Sequence, residues 1–204
     1  MNIENEVKKA QHGDRRAFVN IIREVENDLY GVAYSILRNE QDSADALQEA
    51  ILKAYKSLGT LRDGSLFKTW MYRIIINESN KIAKKRSRSV AVSEFSYQVG
   101  ISGDYENIEL YEAVDQLEER MRLVIILRYF YDLNIKEISK TLGISESLVK
   151  TRLYRARKCL LRMLLNSGER GTPRGAAVHY RRPLGPYELE ARAPEKLDEP
   201  TERP

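Results

Sequence analysis

The sequence predicts an all-α fold: two small helical domains joined by a flexible acidic linker, the C-terminal one a helix-turn-helix. Three observations carry this. All six prolines of the 204 residues lie between Pro173 and Pro204, so residues 1–172 lack the residue that breaks helices. Apolar positions there recur every three or four residues, and period-two alternation reaches only the short candidate Ser89–Ser93. Finally, Gly143 stands where a tight turn needs positive φ, and Ser145 stands where a following helix needs a cap.

Taken in order, residues 3–38 read as two helices hinged near His12-Gly13-Asp14, with Asp14 able to cap the second. Phe18, Ile21, Ile22, Val25, Leu29, Val32, Ala33, Ile36 and Leu37 supply its apolar positions. The third helix is Asp42–Leu58, with Ala46, Leu47, Ala50, Ile51, Ala54 and Leu58 turned inward. The fourth, Leu66–Lys85, runs from an aromatic start to a basic end. Ser-, Gly- and acid-rich residues up to 107 have little periodicity and read as a linker. Helices resume at Ile108–Leu117 and Glu119–Tyr131 and lead into the helix-turn-helix. The expected units are thus 1–88, a linker 89–107, 108–166, and a Gly-, Pro- and Arg-rich tail 167–204 with too few apolar residues for a core, expected to be disordered.

Charge is segregated along the chain. The stretch 67–90 carries Lys68, Arg73, Lys81, Lys84, Lys85, Arg86 and Arg88 against Glu78 alone. The next thirty residues are strongly acidic, and the final helix, Ser145–Arg162, is again basic. The net charge of +4 hints only mildly at an anionic partner; the blocks say more. One cysteine, Cys159, excludes an internal disulfide framework and favours a reducing cytosol. His12 and His179 form no metal motif, so no metal and no cofactor is expected. No apolar run approaches a membrane span, and Met1-Asn-Ile-Glu-Asn-Glu lacks the parts of a signal peptide.

In the last helix Val149, Leu153, Ala156 and Leu160 make one buried stripe, and Lys150, Thr151, Tyr154, Arg155 and Lys158 fall opposite. Cations and donors on the free face suit the major groove of DNA. Across Leu66–Arg88, Phe67, Trp70, Tyr72, Asn77 and Asn80 interleave with cations. That pattern suits a nucleic acid whose bases leave the stack: aromatic faces accept bases, amides read their edges, cations hold phosphates. Trp70 with Ile74 equally suits an ordinary buried stripe, and cations at a helix C-terminus also complement its dipole. On the third helix Asp42, Asp45 and Glu49 share an acidic face beside Gln48. Such a face repels DNA and suits a protein partner, or it simply solvates the helix. No histidine, metal cluster or glycine-rich phosphate loop accompanies it, so no enzyme activity and no small-molecule substrate is expected.

Together, Asp45–Tyr55 (DALQEAILKAY), Phe67–Asn77 (FKTWMYRIIIN) and Gly143–Arg157 (GISESLVKTRLYRAR) resemble the extracytoplasmic-function (ECF) group of bacterial sigma factors in the sigma-70 family. The resemblance covers about residues 3–165 and includes order and separation. It implies a transcription-initiation factor that binds core RNA polymerase and directs it to promoter DNA. Residues 1–88 would bind core and recognise and melt the −10 element. Asp42, Asp45, Gln48, Glu49 and Lys53 would meet the coiled coil of the largest polymerase subunit. Lys68, Trp70, Arg73, Asn77, Asn80, Lys81 and Lys84 would face −10 DNA, Asn77 at the position that contacts a flipped base. Residues 108–166 would read the −35 element through Lys150, Thr151, Arg152, Tyr154, Arg155 and Lys158, and the acidic linker would run towards the RNA exit channel. The group's usual regulator is an anti-sigma factor, often membrane-bound, which implies a cytoplasmic protein held at times at the inner face of the membrane without inserting itself. Two positions depart from the group's pattern: Leu117-Glu118 replaces Leu-Pro, and Ser147-Leu148 replaces a pair of small residues. The alternative reading is a conventional helix-turn-helix regulator that binds duplex DNA without polymerase, which leaves the Leu66–Arg88 pattern unused.

Overall fold

The computed structural model describes residues 2–89 and 108–168, and every element in them is helical. Asn2 opens α1 (Ile3–Gln11) by accepting the Asn5 N–H. Gly13, at φ 96°, turns the chain, and Asp14 caps α2 (Arg15–Leu37) by accepting the Arg16 and Ala17 N–H groups at 2.8 and 3.1 Å. α2 ends at Arg38, which adopts the left-handed conformation at φ 51°. α3 (Glu40–Ser57) begins ahead of Asp42, because Asn39 supplies the cap and accepts the Asp42 N–H at 2.8 Å. Two short 3₁₀ turns, Leu58–Thr60 and Gly64–Leu66, lead into α4 (Phe67–Ser89). The candidate strand Ser89–Ser93 is not supported at its first residue: Ser89 closes α4, and the rest of that run lies outside the described residues, as does the linker from 90 to 107.

Alanines decide how close α3 and α4 come. Ala46, Ala50 and Ala54, spaced four apart, are each fully buried, and their short side chains let the α4 backbone approach. Phe67, Met71, Tyr72 and Ile75 of α4 fill the space between them and Ile21, Val25 and Leu29 of α2, with Val7 of α1 closing the end. Each such side chain, fully buried, stabilises the bundle by about 1.5–3 kcal/mol.

The C-terminal bundle has α5 (Ile108–Asp115), α6 (Glu119–Tyr129), α7 (Ile135–Leu142) and α8 (Glu146–Gly168). α5 and α6 each stop two residues short of the expected ends. α7 opens with a capping box: Asn134 accepts the Glu137 N–H at 3.0 Å, and the Glu137 carboxylate accepts the Asn134 N–H at 2.7 Å. Gly143, at φ 65°, closes α7, and the Ser145 hydroxyl accepts the Leu148 N–H at the start of α8. Val124, Leu127, Ile138, Val149, Leu153 and Ala156 form the core between α6, α7 and α8. α8 continues through Ser167 and Gly168, the first two residues assigned to the tail; residues 169–204 lie outside the described part.

The two bundles touch. α6 packs on α2 and α7 packs on α4, and the Tyr72 and Tyr131 rings meet at 5.4 Å. Buried apolar residues run continuously from one bundle to the other.

Gly143 is the position where conformation is least negotiable. Gly143→Ala should destabilise the chain by about 1–2 kcal/mol through its left-handed backbone alone, since the added methyl meets open space. Urea unfolding followed by circular dichroism checks this.

Candidate nucleic-acid interface

α8 divides its circumference as the sequence pattern requires. Val149, Leu153 and Ala156 are buried, and Leu160 is half-buried against the core. Lys150, Thr151, Tyr154, Arg155 and Lys158 are exposed, Tyr154 at 65%, while Arg152 is half-buried at the edge. The Thr151 hydroxyl donates to the Ser147 carbonyl at 2.9 Å, within its own helix. Arg157 is engaged elsewhere. Its Nε donates to the Tyr129 hydroxyl at 2.7 Å, and its guanidinium lies 5.6 Å from that ring's centre, which ties α8 to α6. Ser139 adds a further brace across the turn by donating to the Ile144 carbonyl.

On α4, Arg73, Asn77, Asn80 and Lys84 follow one another at four, three and four residues and are all exposed, so they share one stripe, with Lys81 beside it. Trp70 lies one turn earlier on the same side, half-buried, with its ring 6.1 Å from that of Phe67. Trp70 thus packs partly on the core and stays partly open to solvent. Lys68 is apart from this group. It lies on the other side of α4 and lines a cavity of about 270 Å³ between the bundles, with Glu4, Tyr72, Tyr131, Asp132 and Glu137 among its walls.

Glu78 organises the join of α3 and α4. Its side chain is buried, and its carboxylate accepts from Lys53 Nζ at 2.8 Å and from Lys81 Nζ at 2.9 Å. Burial alone would raise its pKa, but the two lysine hydrogen bonds outweigh that and hold the carboxyl below its ordinary range. The same bond raises Lys81. Lower on the seam, Arg86 pairs with Asp42 at 3.4 Å. Of the five residues assigned to protein contact, Asp42 and Lys53 thus face α4, whereas Asp45, Gln48 and Glu49 point to solvent.

Sequence reasoning missed the apolar part of that free face. Leu52 is 53% exposed, one turn beyond Gln48 and Glu49. Tyr55 is equally exposed and meets Phe18 edge-on at 5.1 Å. The signal was present: Leu52 falls off the Ala46-Ala50-Ala54 stripe and onto the acidic one. Leu52 and Tyr55 thus add exposed apolar area beside Gln48 and Glu49.

Comparison with known proteins follows the same division. The family model described as sigma-70 region 2 matches residues 21–89, and that described as sigma-70, region 4 matches residues 107–160. The RNA polymerase sigma factor SigV of Bacillus subtilis is 33% identical over 155 residues, covering 74% of this chain and 93% of the relative. The ECF RNA polymerase sigma factor SigW of the same organism is 29% identical over 182 residues, covering 80% and 97%. Among solved structures, the sigma factor RpoE of Bartonella quintana, in complex with the anti-sigma factor NepR, has a TM-score of 0.62 at 23% identity. It covers 72% of this chain and 96% of that one, a likeness of fold.

The seam carries its own pH dependence. Because the folded carboxyl of Glu78 titrates lower than the unfolded one, its contribution is complete above the unfolded pKa and is lost as pH falls through the folded pKa. Glu78→Gln should cost about 1 kcal/mol near neutral pH, a modest value because both lysines remain half exposed to solvent. The variant should also flatten the acid limb of the stability profile, which urea titrations across the acidic range will show.

Proposed function

The chain belongs to the sigma-70 family, in its ECF group, and is an alternative sigma factor that directs RNA polymerase; from that premise we propose which surface does each part of the work. The observation that carries the assignment is the exposed stripe Arg73-Asn77-Asn80-Lys84 on α4, with the half-exposed Trp70 at its head. Cations hold phosphates, amides read base edges, and an aromatic edge supports a base that has left the stack. The unit 1–88 recognises and melts the −10 element through these residues and Lys81, with Asn77 at the flipped base. Lys68, exposed on the other side of α4, stands apart from this stripe and contributes to DNA binding as a separate phosphate contact.

In the unit 108–166, Lys150, Thr151, Tyr154, Arg155 and Lys158 enter the −35 major groove, and Arg152 approaches from the edge. Asp45, Gln48, Glu49 and Leu52 form the docking face for core polymerase. Asp42 and Lys53 support that face by fastening α3 to α4. The chain performs no chemistry of its own; strand opening draws on binding energy, and synthesis belongs to the polymerase. It acts in the cytoplasm, and an anti-sigma factor that covers these faces regulates it. No described helix is long and apolar enough to cross a membrane. A conventional regulator that binds duplex DNA alone gives the α4 stripe nothing to do.

Fluorescence-anisotropy titration of the labelled chain with core polymerase, without DNA, tests the reading. Saturable binding, competed by an unlabelled sigma factor, is the expected result; a folded chain that binds duplex DNA tightly but not polymerase overturns it. In that assay Glu49→Ala should weaken binding, and Leu52→Glu should weaken it about tenfold or more, as central apolar contacts do. Unchanged affinity in both would remove the docking role of this face. Arg155→Ala should reduce −35-dependent transcription. If it reads a base, it costs about 1–3 kcal/mol at one promoter position. If it holds a phosphate, all sequences weaken alike and the log–log salt slope falls by roughly 0.9.

A further inference from the structure

One carboxylate on α4 is shared by two lysines that come from different helices. Glu78 directly follows Asn77, yet its side chain turns into the join with α3 and is only 10% exposed. Its Oε1 accepts from Lys53 Nζ of α3 at 2.8 Å and from Lys81 Nζ at 2.9 Å. Its Oε2 accepts from Lys81, also at 2.9 Å. Two positive charges meet one negative charge, so the cluster carries a cation in excess.

Lys81 is the member placed for DNA. It follows Asn77 by four residues and precedes Lys84 by three, which sets it beside the free stripe, and its side chain is 63% exposed. Among the described residues, Arg73 and Lys84 of that stripe enter no ion pair. They meet a phosphate without competition. Lys81 does not, because a phosphate has to displace Glu78 from an ammonium with three donors in all. A buried charge stripped of its partner stays desolvated, so a lone partner is held fast. Lys53 changes that balance. When Lys81 turns to a phosphate, Oε1 keeps its bond from Lys53 and the carboxylate is still compensated.

We propose that Glu78 is a positioning residue for DNA binding by α4: it holds Lys81 beside Asn77 and Asn80 and hands it to a phosphate, while Lys53 stays behind to satisfy the carboxylate. This rests on the assignment of α4 to the opened −10 element. Lys53 thereby adjusts a DNA contact from a helix assigned to polymerase. The two partners of Lys81's carboxylate affect DNA in opposite senses. Without Glu78, Lys81 is released to the phosphate. Without Lys53, Glu78 depends on Lys81 alone and retains it.

The test uses the full chain saturated with core polymerase and a labelled DNA duplex with a short unpaired bubble, titrated by anisotropy over a series of salt concentrations. Lys81→Met should lower the log–log salt slope by roughly 0.7, one phosphate contact on a single strand. Glu78→Gln should raise the slope and tighten binding by up to about fivefold, the worth of one pair with an exposed lysine. Lys53→Met should lower the slope and weaken binding, so that the two variants bracket the parent. With Lys81→Met already in place, neither should have any further effect. A purely structural role predicts otherwise, since both substitutions loosen the same join and would move DNA binding in the same direction. Glu78→Gln and Lys53→Met shifting together, or leaving the slope unchanged while Lys81→Met lowers it, overturns the handover and leaves the DNA-binding role of α4 standing. A slope that Lys81→Met does not change removes Lys81 from the DNA face, and that part of the functional reading falls together with the inference.

Discussion

Everything in this molecule turns on how α4 divides its circumference. One side must fill the space between α2 and α3, which Phe67, Met71, Tyr72 and Ile75 do. A second must stay free, and there Arg73, Asn77, Asn80 and Lys84 stand in register. A third, with Lys68, borders the buried side at Tyr72, whose ring meets the other bundle. A helix offers these three sides only at a fixed angular increment, so a change of one residue in length before Trp70 would rotate all three at once. The buried side fixes the rotation: Tyr72 donates its hydroxyl to Asp28 at 3.2 Å, deep in the bundle, and that bond leaves little choice of register.

Much of the architecture was legible because periodicity and capping agree. Asp14, Gly143 and Ser145 act as their positions suggested, and Val149-Leu153-Ala156 is the stripe that packs. The misplaced ends have local causes. Asn39 competes with Asp42 for the start of α3 and wins by standing one turn earlier. The α4 basic end extends to Ser89, beyond Lys85, because nothing in Arg86-Ser-Arg-Ser89 interrupts a helix.

The candidate surfaces were legible as sets of residues but not as groups in space. Lys68 and Lys84 look alike in the sequence, and only the helical angle separates the cavity wall from the free stripe. Arg157 looks like its basic neighbours until Tyr129, twenty-eight residues away, claims it. The contacts between bundles were not legible at all. Arg122 and Arg38 bind backbone carbonyls and one carboxylate across separations of up to 87 residues, and no local pattern announces such partners.

The Lys53–Glu78–Lys81 bridge bears on how separable these surfaces are. The helices proposed to dock polymerase and to melt DNA look like exchangeable modules, ready to be grafted between relatives to recombine partner and promoter. Here they share a buried carboxylate. Transplanting α3 without Lys53 would leave Glu78 with half its charge compensation, and transplanting α4 without Glu78 would set two lysines against each other. The unit of inheritance, and of any chimera built from this protein, is the helix pair.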